Sequence, residues 1–148
     1  MVLVKAEYLP DEKDALTLAG LQAGEAAERW QPLLEDYANF GYQPHPFWYR
    51  FAISNPSDQA VSQVLAISYP LLDSIDLYRI DAQGNIHHTR TGDREPFAQR
   101  PVAHPHFLFP MRLLLPFLVE IIKSRKSSSL KADYNKSSMT QLRTAHLW

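Results

Sequence analysis

An antiparallel all-β sandwich with Greek-key or jelly-roll connections and one short N-terminal helix is the fold class that this sequence predicts. Three observations carry the expectation. Phe47 to Asn55 alternates between apolar and polar positions, several further short apolar runs are bounded by Pro, Gly, Asn and Asp, and only one stretch has helical spacing. With 148 residues, 45% of them apolar and 11% aromatic, the chain is long and apolar enough to bury a single core.

Val2 to Tyr8 reads as the opening strand. Asp14 to Trp30 holds the helical stretch, with Leu18, Leu21 and Gln22 about one turn apart and Gly20 and Gly24 weakening it. In Phe47 to Asn55, residues Phe47, Tyr49, Phe51 and Ile53 fall on one face and Trp48 and Arg50 on the other, before Asn55-Pro56-Ser57-Asp58 turns the chain. Val61 to Tyr69 repeats the pattern through Val61, Leu65, Ile67 and Tyr69. Ser74 to Asp81 and Asn85 to Arg90 are two strands joined through Ala82-Gln83-Gly84, and Phe107 to Phe109 and Phe117 to Ile122 supply two more. The expected core is Tyr49, Phe51, Ile53, Leu65, Ile67, Leu77, Phe107 and Phe109.

Charge is uneven along the chain. The net charge is -1, yet residues 117–148 carry +4, leaving -5 for residues 1–116. From Asp133 onward the chain is polar, with the serine pair Ser137-Ser138 and neither alternation nor a helical stripe, so residues 133–148 are expected to form a poorly packed tail.

Several function classes fall away. A near-neutral balance of fifteen basic and sixteen acidic residues provides no positive field for nucleic acid. The absence of cysteine removes disulfides, thiolate metal sites and cysteine nucleophiles. No signal peptide is readable at the N-terminus, and the longest apolar stretch, Phe107 to Ile122, is interrupted by Arg112, Glu120 and two prolines, so no membrane span is read. Glycine-rich phosphate loops, nucleophile elbows and zinc-protease helices are missing as motifs, which argues against an enzyme. His104 and His106 lie two apart, and His87-His88 could approach them in a sheet, but a third ligand is not specified, and no metal or cofactor is expected.

Trp48 and Arg50 form the most informative pair. An aromatic plate beside a rigid donor fork suits stacking on the apolar face of a sugar while the guanidinium orients its hydroxyls. The competing reading puts Trp48 in the core and pairs Arg50 with an acid such as Asp73.

Beyond this pair, a series of short motifs occurs in a distinctive order. They are Trp30-Gln31-Pro32, Asn39-Phe40-Gly41, Trp48-Tyr49-Arg50-Phe51, Asn55-Pro56-Ser57, Tyr69-Pro70-Leu71-Leu72-Asp73, Asp76-Leu77-Tyr78, Thr91-Gly92-Asp93, Pro96-Phe97, Arg100-Pro101 and His104 to Pro110. Together these resemble the 7TMR-DISM extracellular domain, type 2, over residues 2–132. The resemblance implies a jelly-roll-like sandwich similar to carbohydrate-binding modules. It also implies a periplasmic or otherwise extracytoplasmic sensor that precedes membrane helices and a diguanylate cyclase or histidine kinase output, and is not itself an enzyme. The implied partner is a small ligand such as a saccharide, bound by Trp48, Arg50, Asp73, Arg100, His104 and His106. The alternative is a protein-interaction or homodimerisation module with no small ligand. Leu113-Leu114-Leu115-Pro116-Phe117 and the segment after Asp133 depart from the family pattern, which suggests a truncated or frame-shifted fragment whose missing helices would supply the only link to the membrane.

Overall fold

In the computed structural model of the chain, residues 3–32, 37–39, 45–67, 72–105, 107–113, 117–125 and 139–146 are described. They form ten strands, one short helix and a 3-10 turn. The strands are β1 (Leu3–Pro10), β2 (Gln31–Pro32), β3 (Tyr37–Asn39), β4 (Phe47–Ser54), β5 (Val61–Ile67), β6 (Ser74–Ile80), β7 (Ile86–Thr91), β8 (Phe107–Leu113), β9 (Phe117–Arg125) and β10 (Met139–His146). A six-stranded sheet has the order β2-β1-β4-β9-β6-β7, and a four-stranded sheet the order β3-β10-β5-β8. All pairings are antiparallel.

The alternation in β4 decides which residues enter the core. Tyr49, Phe51 and Ile53 join Ile75 and Leu77 of β6 on the inner face of the larger sheet. They pack against Leu65 and Ile67 of β5 and Phe107, Phe109, Met111 and Leu113 of β8. One apolar layer closed between two sheets is a β-sandwich. All eight residues expected in the core lie in it, and each large side chain so buried contributes about 1.5–3 kcal/mol.

The helix is shorter than the sequence suggests. Helix α1 spans only Leu18–Gln22, capped by the Thr17 hydroxyl, which accepts from the Gly20 amide at 3.1 Å. Beyond it the backbone turns left-handed at Gly24 (φ 92) and again at Ala26 (φ 57), and no regular helix passes two such residues. The hairpin between β6 and β7 closes as expected. The Asp81 carboxylate accepts from the amides of Gln83 and Asn85, both at 2.9 Å, and Gly84 takes the left-handed position (φ 84).

Met139–His146, inside the segment that the sequence assigns to a polar tail, forms β10, paired with β3 on one side and β5 on the other. A domain boundary near residue 132 is accordingly a proposal, to be decided by proteolysis.

Candidate functional site

Cross-strand register writes three rows of residues over the outer face of the six-stranded sheet. The first runs Leu9, Trp48, Lys123, Asp76, Arg90, and the second, on either side of β9, Glu7, Arg50, Tyr78, His88. The third, likewise, runs Lys5, Ala52, Ile80, Ile86. Residues in one row face the same side, so aromatic rings, cations and carboxylates from five strands share one surface.

At the β1 end this surface is covered. Leu9, Leu16, Leu21 and Trp48 form a second buried cluster, flanked by Leu18, Ala26, Trp30, Tyr78 and Ile80. The segment after β1 folds over the sheet and seals Trp48, which is 1% exposed and donates its indole N–H to the buried Asp11 carboxylate at 3.2 Å. The same carboxylate accepts from the amides of Ala15 and Leu16 at 3.0 and 3.1 Å, which pins the covering segment in place.

Toward β7 the surface opens. Trp48 stacks with Tyr78 at 6.5 Å between centroids, and Tyr78 stacks with the exposed His88 at 4.5 Å. His88 Nε2 lies 2.8 Å from Asp76, Arg90 lies 3.5 Å from the same carboxylate, and Arg90 also donates to Glu95 at 3.1 Å. Burial, together with the nearby Asp76 charge, pushes the Tyr78 phenol up, with Arg90 opposing. The hydrogen bond to Glu95 and the Asp76 charge raise Arg90 further, so it stays a fixed cation.

Arg50 stands between the two regions. Its Nε donates to Glu7 Oε2 at 2.8 Å, Nη2 reaches the same oxygen, and the guanidinium lies 4.3 Å from the Trp30 ring centroid. Burial alone would push the Glu7 carboxyl up, but the hydrogen bond and charge of Arg50, with Lys5 adding to them, hold it below its usual value. Lys123 lies 5.1 Å from the Trp48 ring centroid and 3.5 Å from Asp14.

Trp48 and Arg50 do therefore share a face, but Trp48 presents no open plate, which corrects the expectation of an exposed stacking ring. The acid paired with Arg50 is Glu7 and not Asp73. Asp73, buried ahead of β6, lies 3.6 Å from Arg94, and its backbone carbonyl accepts from the Arg94 amide, so it secures the turn after β7. Arg100 and His104 come together elsewhere, in the connection from β7 to β8. There Arg100 donates to the carbonyls of His104 and Pro105, both at 2.8 Å, and packs between the rings of Phe97 and Phe107. His106 lies outside the described residues. No metal-binding group of three His, Cys, Asp or Glu side chains occurs among the described residues.

Tyr78, His88 and Arg90 were not among the expected site residues, although the sequence held their signal. Once Asp81 and Asn85 flank the turn, counting back pairs Tyr78 with His88 and Asp76 with Arg90. An open recess of about 250 Å³ borders the covered end, lined by Leu9, Pro10, Glu12, Glu28, Arg29 and Gln31.

The described residues thus form a β-sandwich whose outer sheet face gathers aromatic rings and paired charges. The model of the 7TMR-DISM extracellular 2 family matches residues 4–138, and the chain belongs to that family, the extracellular sensor domains of membrane signalling proteins. Comparison with curated proteins finds no match. Among the described residues, no helix is long and apolar enough to cross a membrane.

Proposed function

We propose that the domain senses a carbohydrate or another small polar ligand on the open part of the outer sheet face. In this reading it does so for a bacterial membrane receptor of the diguanylate cyclase or histidine kinase type, by binding and without catalysis. The observation that supports this reading is the ring ladder Trp48, Tyr78, His88 flanked by Arg50, Arg90, Asp76 and Glu7. His88, at the exposed end of the ladder, offers a ring to stack on, Tyr78 and Trp48 stack in turn behind it, and Arg50 and Arg90 offer donor forks. Asp73, Arg100 and His104 serve this site only if ligand reaches the β7–β8 connection, and they form its outer candidates.

A thermal-shift screen tests the reading, with a panel of mono- and oligosaccharides, cell-wall fragments, amino acids and nucleotides. A ligand at about 100 times its Kd adds about 2.7 kcal/mol to the folded state. For a domain of this size that raises Tm by about 5–10 °C. The shift is expected to vanish in Tyr78→Ala and Arg50→Ala. The alternative of an interaction module gains support from Ile86, a large apolar residue 45% exposed on the same face. A silent screen would favour it.

A further inference from the structure

Among the described residues four strands end the two sheets, and three of them are poor templates for another strand. Strand β2 has two residues and ends on Pro32, β3 has three, and β8 carries at its centre Pro110, which has no N–H to donate. Strand β7 differs. Its six residues, Ile-His-His-Thr-Arg-Thr, include no proline, lysine or acid, and Ile86, His87, His88 and Arg90 are exposed.

The turn reveals which backbone groups of β7 are free. Asp81 donates its amide to the Asn85 carbonyl at 3.1 Å, so this pair is hydrogen-bonded across the hairpin. Antiparallel pairs alternate, so residues 87, 89 and 91 bond to β6. The N–H and C=O of Ile86, His88 and Arg90 therefore point away from the sheet.

We propose that β7 pairs antiparallel with β7 of a second copy of this chain, about a two-fold axis at His88, joining two six-stranded sheets into one. This proposal rests on the edge alone and stands or falls whatever the outer face binds. The occupant is a second copy because self-pairing sets no two fixed like charges opposite each other: about an axis at His88, Ile86 meets Arg90 of the other copy, His88 meets its counterpart, and all three outward residues of each chain find partners. Moving the axis to His87 or Thr89 leaves one of the three unpaired, and the Thr89 choice also sets His88 against Arg90. In the His88 register, Ile86 lies along the aliphatic stem of Arg90, whose charge Asp76 and Glu95 of its own chain hold. On the inner face His87 is exposed, so the four-stranded sheet does not cover this part of β7 and leaves room for a neighbouring strand.

The full chain contains no cysteine, which makes the register directly measurable. In the proposed pairing the two His88 Cα atoms lie about 5.5 Å apart, within disulfide range. His88→Cys is expected to form an intermolecular disulfide under mild oxidation at least tenfold faster than Thr89→Cys. The two copies of residue 89 are offset by roughly 7 Å along the strands. Sedimentation equilibrium supplies the independent readout. Ile86→Lys sets two cations opposite each other and is expected to weaken the dimer at least tenfold, whereas Ile86→Glu, facing Arg90, restores wild-type association. Circular dichroism confirms that each variant is folded. A wild-type chain that stays monomeric at several hundred micromolar, a dimer indifferent to Ile86→Lys, or equal crosslinking at 88 and 89 would overturn the proposal.

Discussion

Removal of the Asp11 carboxylate is expected to release the segment that covers Trp48. Asp11 is 2% exposed and satisfies three donors at once, the amides of Ala15 and Leu16 and the indole N–H of Trp48. In Asp11→Ala all three lose their acceptor, and a buried unsatisfied donor costs about 1–3 kcal/mol. Partial access of water to the Ala15 amide, which is only part-buried, moderates the sum, so the expected loss is about 3–5 kcal/mol. Urea unfolding at pH 7, followed by far-ultraviolet circular dichroism and tryptophan fluorescence, measures it as a fall in midpoint at constant slope. In thermal unfolding the same loss lowers Tm by about 10 °C or more. A double-mutant cycle with Trp48→Phe isolates the indole bond, with a coupling of about 1 kcal/mol or more. Asp11→Ala within about 1 kcal/mol of wild type, at an unchanged slope, would refute the claim that this carboxylate pins the cover to the sheet.

Three further outcomes follow from particular residues. Gly92 has φ 144, and a Cβ there would stand 2.3 Å from the Asp73 carbonyl oxygen, so Gly92→Ala is expected to lose about 2–4 kcal/mol in the same urea assay. The Glu7 carboxyl titrates below its usual 4.5 in the folded protein, so its contribution is complete above about pH 5 and is lost as pH falls through the folded value. Because the pair is part-exposed, Glu7→Gln should cost about 1 kcal/mol or less at pH 7 and progressively less as pH falls below the usual carboxylate range, which parallel urea titrations would check. Trypsin is expected to cut first after Lys131 and Lys136, as a domain boundary near 132 requires. Cleavage after Arg143 no faster than after Arg50 would instead make β10 integral to the sandwich.

How legible the fold was depends on how local its causes are. Strand β4 was readable almost to the residue, because every second side chain from Phe47 to Ile53 is apolar and the Asn55-Pro56 turn stops it. The helix was overread because helical spacing continues past Gln22, whereas the positive φ at Gly24 and Ala26 is set by how the segment returns over the sheet. Strands β2 and β3 have two and three residues, too few for a period to appear. At the site, parity correctly placed Trp48 and Arg50 opposite the core face. What parity cannot carry is the cover: Asp11 lies 37 residues from Trp48, and Glu7 lies 43 from Arg50. Both partnerships arise from the pairing of β1 with β4, a long-range register that neither strand announces by itself.

Amide chemical-shift mapping with the strongest hit of the screen reads out whether the open part of the outer face receives the ligand. On titration to saturation, the largest shifts are expected on Asp76, Tyr78, His88 and Arg90, with Arg50 following, and they are expected to disappear in Tyr78→Ala. Shifts confined to Arg100, His104 and their loop, or to the recess lined by Glu12, Glu28 and Arg29, would contradict it and move the site off this face.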